Sequence, residues 1–491
     1  MEVVVTESAP LTVERNGINV IAESERKGVP RHLFWPWCAA NISVLGLSYG
    51  SFLLGFGVSF WQATIAGVVG CVLSFLLVGF VSLAGKRGSA PTMVLSRAAF
   101  GVRGNALPAA VSYLLLVGWE IVLVALATLA TATVLGRFGL AAGAGTKVVA
   151  FVIVAAVIVL SGILGYDAIM RLQKWLTIAL AVLTVGYIVL AAPDIRWSNV
   201  AAHHAGGVSA VIGAVVFSAA GFGLSWTNSG SDYSRYLPRS SSGRGVVGWT
   251  AFGAAVAPVV LVVFGVLLAA SDDKLNKAIG LDPIGALTQV LPTWFLVPFV
   301  VVAVGGLVGG AVLDIYSSGL TLLTLGLRVK RWQAAGLDGV IMIVGTVYVV
   351  FFATSFIGPF QGFLITLGVP ITAWCGVFLA DLALRRRPYA DADLFRAGGR
   401  YGAANPVALT AMVAASVIGF GLVVNTYSGA FAWQGYLLEP LGLGPKLGGT
   451  WTYANLGVIV AFVVAFAVHG LGNRVRVHRE EAAEVEQVPV A

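Results

Sequence analysis

Two carboxylic acids stand inside long apolar stretches of this sequence. Glu120 lies within ALPAAVSYLLLVGWEIVLVALATLATA, and Asp314 lies within VVAVGGLVGGAVLDIYSSGLTLL. A carboxylate at the centre of a lipid-embedded helix costs about 2.5–3.5 kcal/mol on insertion scales, so such residues usually bind a substrate, an ion or a proton. We expect both acids to belong to a polar site and to be able to carry a proton. A structural hydrogen bond is the alternative for Glu120, and a contact with a basic loop is the alternative for Asp314.

Trp119, next to Glu120, is equally unusual in its depth. Tryptophan is normally enriched where helices cross the lipid headgroups, and a deep indole needs a partner for its N–H group. Its ring could stack on a flat heterocycle, because every nucleobase offers a π-face to an aromatic side chain. A tryptophan packed in the core is the alternative.

Two apolar segments carry polar residues and glycines in their interior. One begins at residue 35 and reads WPWCAANISVLGLSYGSFLLGFG, and the other begins at residue 208 and reads VSAVIGAVVFSAAGFGLSWTNSGSDYSRY. Interrupted helices in corresponding positions of two halves are typical of transporters with inverted repeats, which bind their ligand near the bilayer midplane. We expect Gly46, Ser48 and Asn228 to face that ligand. Close helix packing through small residues is the alternative.

The composition requires a membrane protein. Hydrophobic residues make up 58% of the 491 positions and charged residues 11%, and the mean hydropathy is +0.91. Soluble domains carry about 25% charged residues, so lipid must cover this surface. The net charge of +8 does not indicate nucleic-acid binding, because the basic residues lie in short clusters between apolar runs. The three cysteines follow no disulfide or metal-binding pattern, and we expect no metal and no cofactor.

Twelve stretches are long enough to cross a bilayer, which requires about 20 mostly apolar residues. They predict an all-α integral membrane protein, and we number them spans 1 to 12 in chain order. The predicted spans cover residues 35–57, 61–83, 106–135, 147–165, 172–192, 208–231, 246–270, 292–326, 336–356, 359–384, 406–424 and 453–473. Span 8 is too long for one upright crossing, so we expect it to tilt or to extend beyond the bilayer.

The basic residues predict the orientation. With the N-terminus inside, 24 of the 30 lysines and arginines fall on the inner side, as the positive-inside rule requires. We therefore expect cytoplasmic termini and a plasma membrane location; the Ala-, Val- and Gly-rich composition favours a bacterial inner membrane. The predicted organisation is an N-terminal tail (1–34), a first repeat of spans 1–5 (35–192), a second repeat of spans 6–10 (208–384), spans 11 and 12 (406–473) and a C-terminal tail (474–491).

Several motifs, taken together, resemble those of a known family. NSGSDYSRYLP closes span 6 at residues 228–238. It is accompanied by AANISVLGLSYG in span 1, SRAAFGVRGNALP before span 3, GWE within span 3, GAVLDIYSSGL in span 8 and WCGVFLADL in span 10. The set resembles the nucleobase–cation symporter-1 family, and most closely its purine–cytosine permease branch, over nearly the whole chain.

The resemblance implies a five-plus-five inverted-repeat fold of the leucine-transporter type, with discontinuous spans 1 and 6. It implies a secondary active symporter of cytosine, a purine, allantoin, a hydantoin or a vitamin-like heterocycle with H+ or Na+, and not an enzyme. It also implies that Trp119 and Trp226 sandwich the heterocycle. Leu123 stands where relatives often have an amide, and Gly310 and Ala311 stand where relatives have amides in span 8, so the identity of the base stays open.

The coupling ion has two candidate sites. Glu120 and Asp314 could carry a proton, and this favours proton coupling. The hydroxyls of Ser317 and Ser318 could instead complete a Na+ site with backbone carbonyls of span 1 near Val44. Hydroxyl-to-backbone bonding within the helix is the alternative for the two serines.

Three polar residues at span ends are candidates for gates. Asp232 and Arg235 lie three residues apart at the inner end of span 6. We expect them to form an ion pair or a helix-end contact, and a role as a gate is the more specific alternative. Gln361 begins span 10 on the outer side and is assigned to an outer gate, with an exposed helix start as the alternative.

Two other functions compete with nucleobase transport. An amino-acid transporter of the same fold is the main one. A membrane enzyme is remote, because the sequence contains no HExxH, GxSxG or phosphate-loop motif. The number of subunits is not predicted.

Overall fold

Every predicted span contains a helix in the computed structural model, which describes residues 12–139, 143–353, 357–427 and 429–482. In the order of the spans, the helices are Phe34–Asn41 with Val44–Leu54, Phe60–Gly88, Ala106–Arg137, Ala144–Leu164, Tyr166–Ala191, the segments of Val208–Ser234, Gly243–Ser271, Leu296–Thr324, Arg331–Phe351, Ile357–Leu384, Pro406–Phe420 and Gly457–Gly472. The predicted end of span 9, residues 354–356, lies outside the described residues.

By length and composition alone, fewer helices qualify as membrane-crossing than the twelve predicted spans, so the predicted number stays a prediction. Within the described ranges, nine helices are long and apolar enough to cross a membrane, or up to eleven if each of two bent helix pairs is one span. The helix of span 11, Pro406–Phe420, has 15 residues and is shorter than a full crossing. A helix of that length rises about 22 Å, against the roughly 30 Å of a hydrocarbon core.

Short helices connect the spans and order the tails. The α-helices are Thr92–Leu95, Arg97–Phe100, Trp197–Ala202, Asp273–Leu281 and Arg474–Ala482, and the 3₁₀ turns are Glu23–Glu25, Pro30–Leu33, Ala192–Asp194, Ala286–Thr288, Thr293–Phe295, Asp391–Leu394, Gly429–Phe431 and Thr452–Ala454.

Span 1 is broken in its middle. Its two helices, Phe34–Asn41 and Val44–Leu54, meet at an angle of 64° when the preceding turn is included. Ser43 is extended (φ −131°, ψ 144°), and its hydroxyl accepts a hydrogen bond from the Leu45 N–H at 3.3 Å. A serine in this position caps the start of a helix. The break therefore follows from the local sequence, as predicted.

Span 6 is interrupted at a kink in its middle. The α-helix Val208–Ala219 passes into a π-helical turn, Ala220–Leu224, in which Phe222 is non-helical (φ −107°, ψ −107°). A 3₁₀ turn, Thr227–Ser229, follows before regular helix returns. Gly223 lies so close to span 2 that a Cβ atom there would overlap the backbone of Ser74 and Phe75. The predicted discontinuities in spans 1 and 6 are confirmed, although they differ in form.

Residues from both tails pack against one end of the helix bundle, which we call the terminal end. The Ile21 N–H donates to the carbonyl of Ser89, after span 2, at 2.8 Å. Glu480, on the helix Arg474–Ala482, forms an ion pair with Arg385 at 2.8 Å. The described parts of the two tails are therefore packed against the bundle. We call the other end of the bundle the opposite end.

Candidate substrate site

A narrow cavity of about 50 Å³ lies where the interruptions of spans 1 and 6 meet spans 3 and 8. Asn41 and Ser43 line it from the break in span 1, and Gly221 and Phe222 line it from the π-helical turn of span 6. The cavity lies between the four spans that the sequence predicted. Interrupted helices leave backbone groups without helical partners, which suits the binding of a polar ligand away from water.

Two tryptophans provide the aromatic part of the lining. Trp119 in span 3 and Trp226 in span 6 both face the cavity and are 8% and 9% exposed. The Trp119 ring packs edge-on against Phe360 with centroids 5.3 Å apart, and the Trp226 ring packs edge-on against Trp37 at 5.7 Å. These contacts fix the two indoles in place. The Trp119 indole N–H is buried without a hydrogen-bond partner among the described residues, so it is available to a ligand.

The polar part of the lining comes from Asn41, Ser43, Ser225 and Asp314. Asn41 donates to the Trp37 carbonyl at 2.8 Å, and the Ser225 hydroxyl donates to the Ala220 carbonyl at 2.6 Å. The Oδ2 atom of Asp314 has no hydrogen-bond partner within the described ranges. An amide and a carboxyl group can recognise the hydrogen-bonding edge of a heterocycle.

Asn41, Ser225 and Tyr49 also line the cavity. Sequence analysis predicted Asp314 as a ligand residue but none of these three. All three residues stand in the polar, glycine-rich runs of spans 1 and 6. The runs were recognised, but a run does not reveal which of its members turn inward. That choice depends on the exact positions of the two interruptions.

Gly46 lines the cavity as predicted, but other predicted ligand residues contact neighbouring helices. The Ser48 hydroxyl donates to the Pro283 carbonyl at 3.2 Å and to the Val44 carbonyl at 3.4 Å. The Asn228 amide donates to the Ser112 hydroxyl of span 3 at 2.8 Å. These bonds hold the broken spans to the rest of the bundle, so Ser48 and Asn228 support the site without lining it.

Glu120 follows Trp119 on span 3, about 100° further round the helix, and is not part of the cavity lining. It is fully buried and interacts electrostatically with Asp314 and with Asp338 of span 9. Sequence analysis missed Asp338, although an acid at the third position of predicted span 9 was visible. An acid so close to a predicted span end usually marks the membrane surface. The helix in fact begins at Arg331, which carries Asp338 into the bundle.

The carbonyl of Val44, near which a Na+ site was predicted, accepts a hydrogen bond from the Ser48 hydroxyl at 3.4 Å. Two other carbonyls of span 1 face glycines of span 8. A Cβ atom on Gly309 would lie 2.9 Å from the Ala39 carbonyl oxygen, and one on Gly306 would overlap the Ile42 carbonyl oxygen. The two serines lie elsewhere on span 8. The Ser318 hydroxyl donates to Asp338, and the Ser317 hydroxyl lies 3.3 Å from the Tyr233 hydroxyl.

The predicted gate residues at the terminal end bind different partners. Asp232 accepts hydrogen bonds from the Thr92 N–H at 2.7 Å and from the Thr92 hydroxyl at 2.9 Å. Arg235 is fully buried and pairs with Glu14 at 2.9 Å. The predicted contact between Asp232 and Arg235 is thus replaced by two separate contacts, because Glu14 of the N-terminal segment reaches the arginine.

Gln361 lines a recess of about 550 Å³ at the opposite end. This position agrees with its assignment to that end of the pathway. The recess lies between the parts of spans 1, 6 and 10 at the opposite end, and it includes Phe52, Phe217 and Tyr427.

The arrangement suits reversible binding of a small, flat, polar molecule. Two indoles supply apolar faces, and an amide and a carboxyl group supply hydrogen bonds. In the part of the chain that the structure describes, no group of three His, Cys, Asp or Glu residues could hold a metal ion.

The sequence of this chain matches a known protein family. Residues 20–439 match the family model described as permease for cytosine/purines, uracil, thiamine and allantoin. The chain belongs to this permease family. It is a multi-pass membrane protein and a secondary transporter, and the prediction that it is not an enzyme is confirmed.

One curated relative and two solved structures illustrate the similarity. The chain is 25% identical to the putative purine-cytosine permease YxlA of Bacillus subtilis (strain 168) over 414 residues, which cover 82% of this chain and 86% of the relative. Mhp1, a nucleobase-cation-symport-1 family transporter, was solved in a closed conformation with bromovinylhydantoin bound. It superposes with a TM-score of 0.65 at 19% identity, covering 96% of this chain and 100% of Mhp1.

The inward-facing conformation of Mhp1 gives the same TM-score of 0.65 over 97% of this chain and 98% of that structure, at 19% identity. The predicted leucine-transporter-type fold is thereby confirmed. The roles of the individual site residues in this permease stay predictions.

Proposed function

We propose that this permease imports a planar nitrogen heterocycle, a nucleobase or a hydantoin-like ring, by stacking it between Trp119 and Trp226. The observation that carries the proposal is that both indoles line one cavity at the interruptions of spans 1 and 6. Stacking on an aromatic side chain contributes about 1–3 kcal/mol per base. The cavity is narrow, so binding requires small shifts of the side chains that line it.

Asn41 and Asp314 are the groups proposed to recognise the edge of the ring. Both line the cavity, and one Asp314 oxygen has no partner among the described residues. Leu123 also lines the cavity, at the position where relatives have an amide. This part of the ring therefore meets an apolar group, which favours a heterocycle with fewer polar substituents on that side.

The proposed coupling ion is H+ rather than Na+. The carbonyls of Ala39 and Ile42 face glycines of span 8, which offer no side-chain oxygen to a sodium ion. Ser318, a predicted sodium ligand, donates instead to a carboxylate. The same proposal places the protein in a plasma membrane with the terminal end in the cytoplasm, with repeats at 35–192 and 208–384.

The decisive experiment is binding and uptake by the Trp119→Ala variant. Purified protein is titrated with cytosine, uracil, hypoxanthine, allantoin, a hydantoin and leucine while tryptophan fluorescence is recorded. The proposal expects quenching by at least one heterocycle and not by leucine, with affinity reduced about 10–100-fold in the variant, as the loss of one stacking plate implies.

Trp175→Ala is the matched control, because Trp175 is 63% exposed on the surface of the bundle and has no contact with the cavity. It should keep the affinity of the unaltered protein. Equal affinity in Trp119→Ala and Trp175→Ala would refute the stacking model. Quenching by leucine alone would favour an amino-acid transporter.

A further inference from the structure

Two buried carboxyl groups meet behind the substrate cavity. Glu120 of span 3 and Asp338 of span 9 are both fully buried, and they interact with each other. Neither lines the cavity, whose nearest acid is Asp314. A second acidic site therefore lies beside the proposed substrate site, between spans 3, 8 and 9.

The two acids have unequal surroundings. Asp338 accepts a hydrogen bond from the Tyr113 hydroxyl at 2.9 Å and another from the Ser318 hydroxyl. Glu120 lies near Ser318 and Asp338, but neither of its carboxylate oxygens accepts a hydrogen bond of ordinary geometry from a described residue. Two donors stabilise an ionised carboxylate, so Asp338 is suited to carry the charge and Glu120 is suited to carry a proton.

No described ion pair compensates the negative charge that Glu120 and Asp338 would carry if both were ionised. Span 8 contributes Asp314, and span 4 has no acidic or basic residue between 148 and 164. Arg331, earlier on the helix of span 9, is bonded to Glu14 and to the carbonyls of span 4. No described ion pair includes Glu120, Asp314 or Asp338. Two adjacent buried carboxylates without a cation cannot both ionise cheaply, and one shared proton removes the repulsion.

We propose that Glu120 and Asp338 share one proton, and that this pair is the binding site of the coupling proton. The inference rests on the proposed function, and it adds Asp338 and Tyr113 as residues that determine coupling and not substrate binding.

The position of the pair suits a proton path. Asp314 lines the cavity and interacts with both acids. Asp338 lies seven residues into the helix that begins at Arg331, which is about 10 Å from the terminal end at 1.5 Å per residue. A proton accepted near the substrate can therefore pass from Asp314 to Glu120 and leave by Asp338 toward the cytoplasm. No bond other than O–H forms or breaks in these steps.

The test separates proton-driven accumulation from exchange. Proteoliposomes are loaded with the heterocycle that the binding titration identifies, and two rates are measured: counterflow of labelled for unlabelled ligand, and net accumulation driven by an imposed pH gradient. Asp338→Asn should continue counterflow and lose at least 90% of the pH-driven accumulation. Asp273→Asn removes an exposed acid at the opposite end and should keep both rates.

Tyr113→Phe is the conservative companion, because it removes one donor to Asp338 and no charge. It should fold normally and keep counterflow, while its profile of accumulation against pH moves toward higher pH because the neutral form of the pair is favoured. Ser318→Ala removes the other donor and should move the profile in the same direction.

The outcomes distinguish this inference from the proposed function. Absence of ligand binding in the unaltered protein would overturn both. Binding and counterflow with normal pH-driven accumulation in Asp338→Asn, or an unchanged pH profile in Tyr113→Phe, would overturn only the proton pair. Accumulation driven by a Na+ gradient and unaffected by pH would also overturn it.

Discussion

The two ends of the central cavity are closed by different kinds of contact. At the terminal end, the fully buried guanidinium of Arg235 binds Glu14 at 2.9 Å, the Tyr316 hydroxyl at 2.8 Å and the Gly17 carbonyl at 2.6 Å. At the opposite end there is a recess of about 550 Å³ whose lining is uncharged and combines aromatic with small polar side chains, and in which the Ser51 hydroxyl donates to Asn276. A buried ion pair and its hydrogen bonds close the terminal end, whereas uncharged side chains line the opposite end.

These contacts predict that the terminal end requires more free energy to open than the opposite end. Glu14 also accepts from the Tyr236 hydroxyl at 2.5 Å and lies 3.4 Å from Arg331. We call Glu14, Arg235, Tyr236, Tyr316 and Arg331 the terminal cluster. Removing one partner of a buried ion pair costs about 3–5 kcal/mol, so bonds of this kind separate two discrete states. Transporters with inverted repeats open each end in turn, and we propose that the terminal cluster must break to open the terminal end.

Of the substitutions proposed at the two ends, Glu14→Ala should have the greatest effect, on the opening of the terminal end. The substitution leaves the buried Arg235 without its carboxylate, so the terminal end should open more often. Amide hydrogen exchange of residues 12–33, followed by mass spectrometry, should accelerate by at least about 100-fold, which corresponds to the lower part of the cost given above.

Glu23→Ala is the matched control for this prediction. Glu23 is an exposed acid in the same N-terminal segment and lies outside the terminal cluster. It should leave the exchange rate within about twofold. Equal rates in both variants would mean that Glu14 does not hold the terminal end closed.

Asp232→Asn should have an intermediate effect. Its carboxylate accepts two bonds from Thr92 inside the protein, and hydrogen bonds to a charged group contribute about 1 kcal/mol more than neutral ones. The thermal unfolding midpoint, followed by tryptophan fluorescence, should therefore fall by about 1 °C in a chain of this length.

Asp272→Asn provides the same change at the opposite end. Asp272 caps the helix Asp273–Leu281 by accepting from the N–H groups of Lys274 at 2.7 Å and Leu275 at 3.1 Å. This cap is partly exposed, so water compensates for the lost charge and the midpoint should fall less. An equal or larger fall for Asp272→Asn would contradict the proposed difference between the two ends.

The fold and the centre of the site could be predicted because their signals are local. Apolar length identifies the spans, and Ser43 and the glycines of span 6 mark the interruptions within a few residues of where they form. Trp119 and Trp226 came from the motif resemblance together with their depth in the helices. Each of these inferences needs only neighbours along the chain.

The partners of the charged groups could not be predicted, because they are distant in sequence. Glu14 meets Arg235 across 221 residues, and Tyr113 meets Asp338 across 225 residues. Glu14 stands in a polar tail that resembles any solvated segment. The predicted contact between Asp232 and Arg235 was reasonable from their spacing, but spacing alone does not show that another chain segment supplies a better partner.

Asn276→Ala changes a neutral contact at the opposite end and should have the smallest effect. The Ser51 hydroxyl donates to the Asn276 side chain, but it also lies 3.2 Å from the Asn276 backbone carbonyl, which alanine retains. A neutral hydrogen bond contributes about 0.5–1.5 kcal/mol, so the affinity for the transported heterocycle should change by less than about tenfold. The fluorescence titration measures this change directly. A change of 100-fold or more would mean that a single neutral contact closes the opposite end as firmly as the terminal cluster closes its own, and charge would no longer distinguish the two ends.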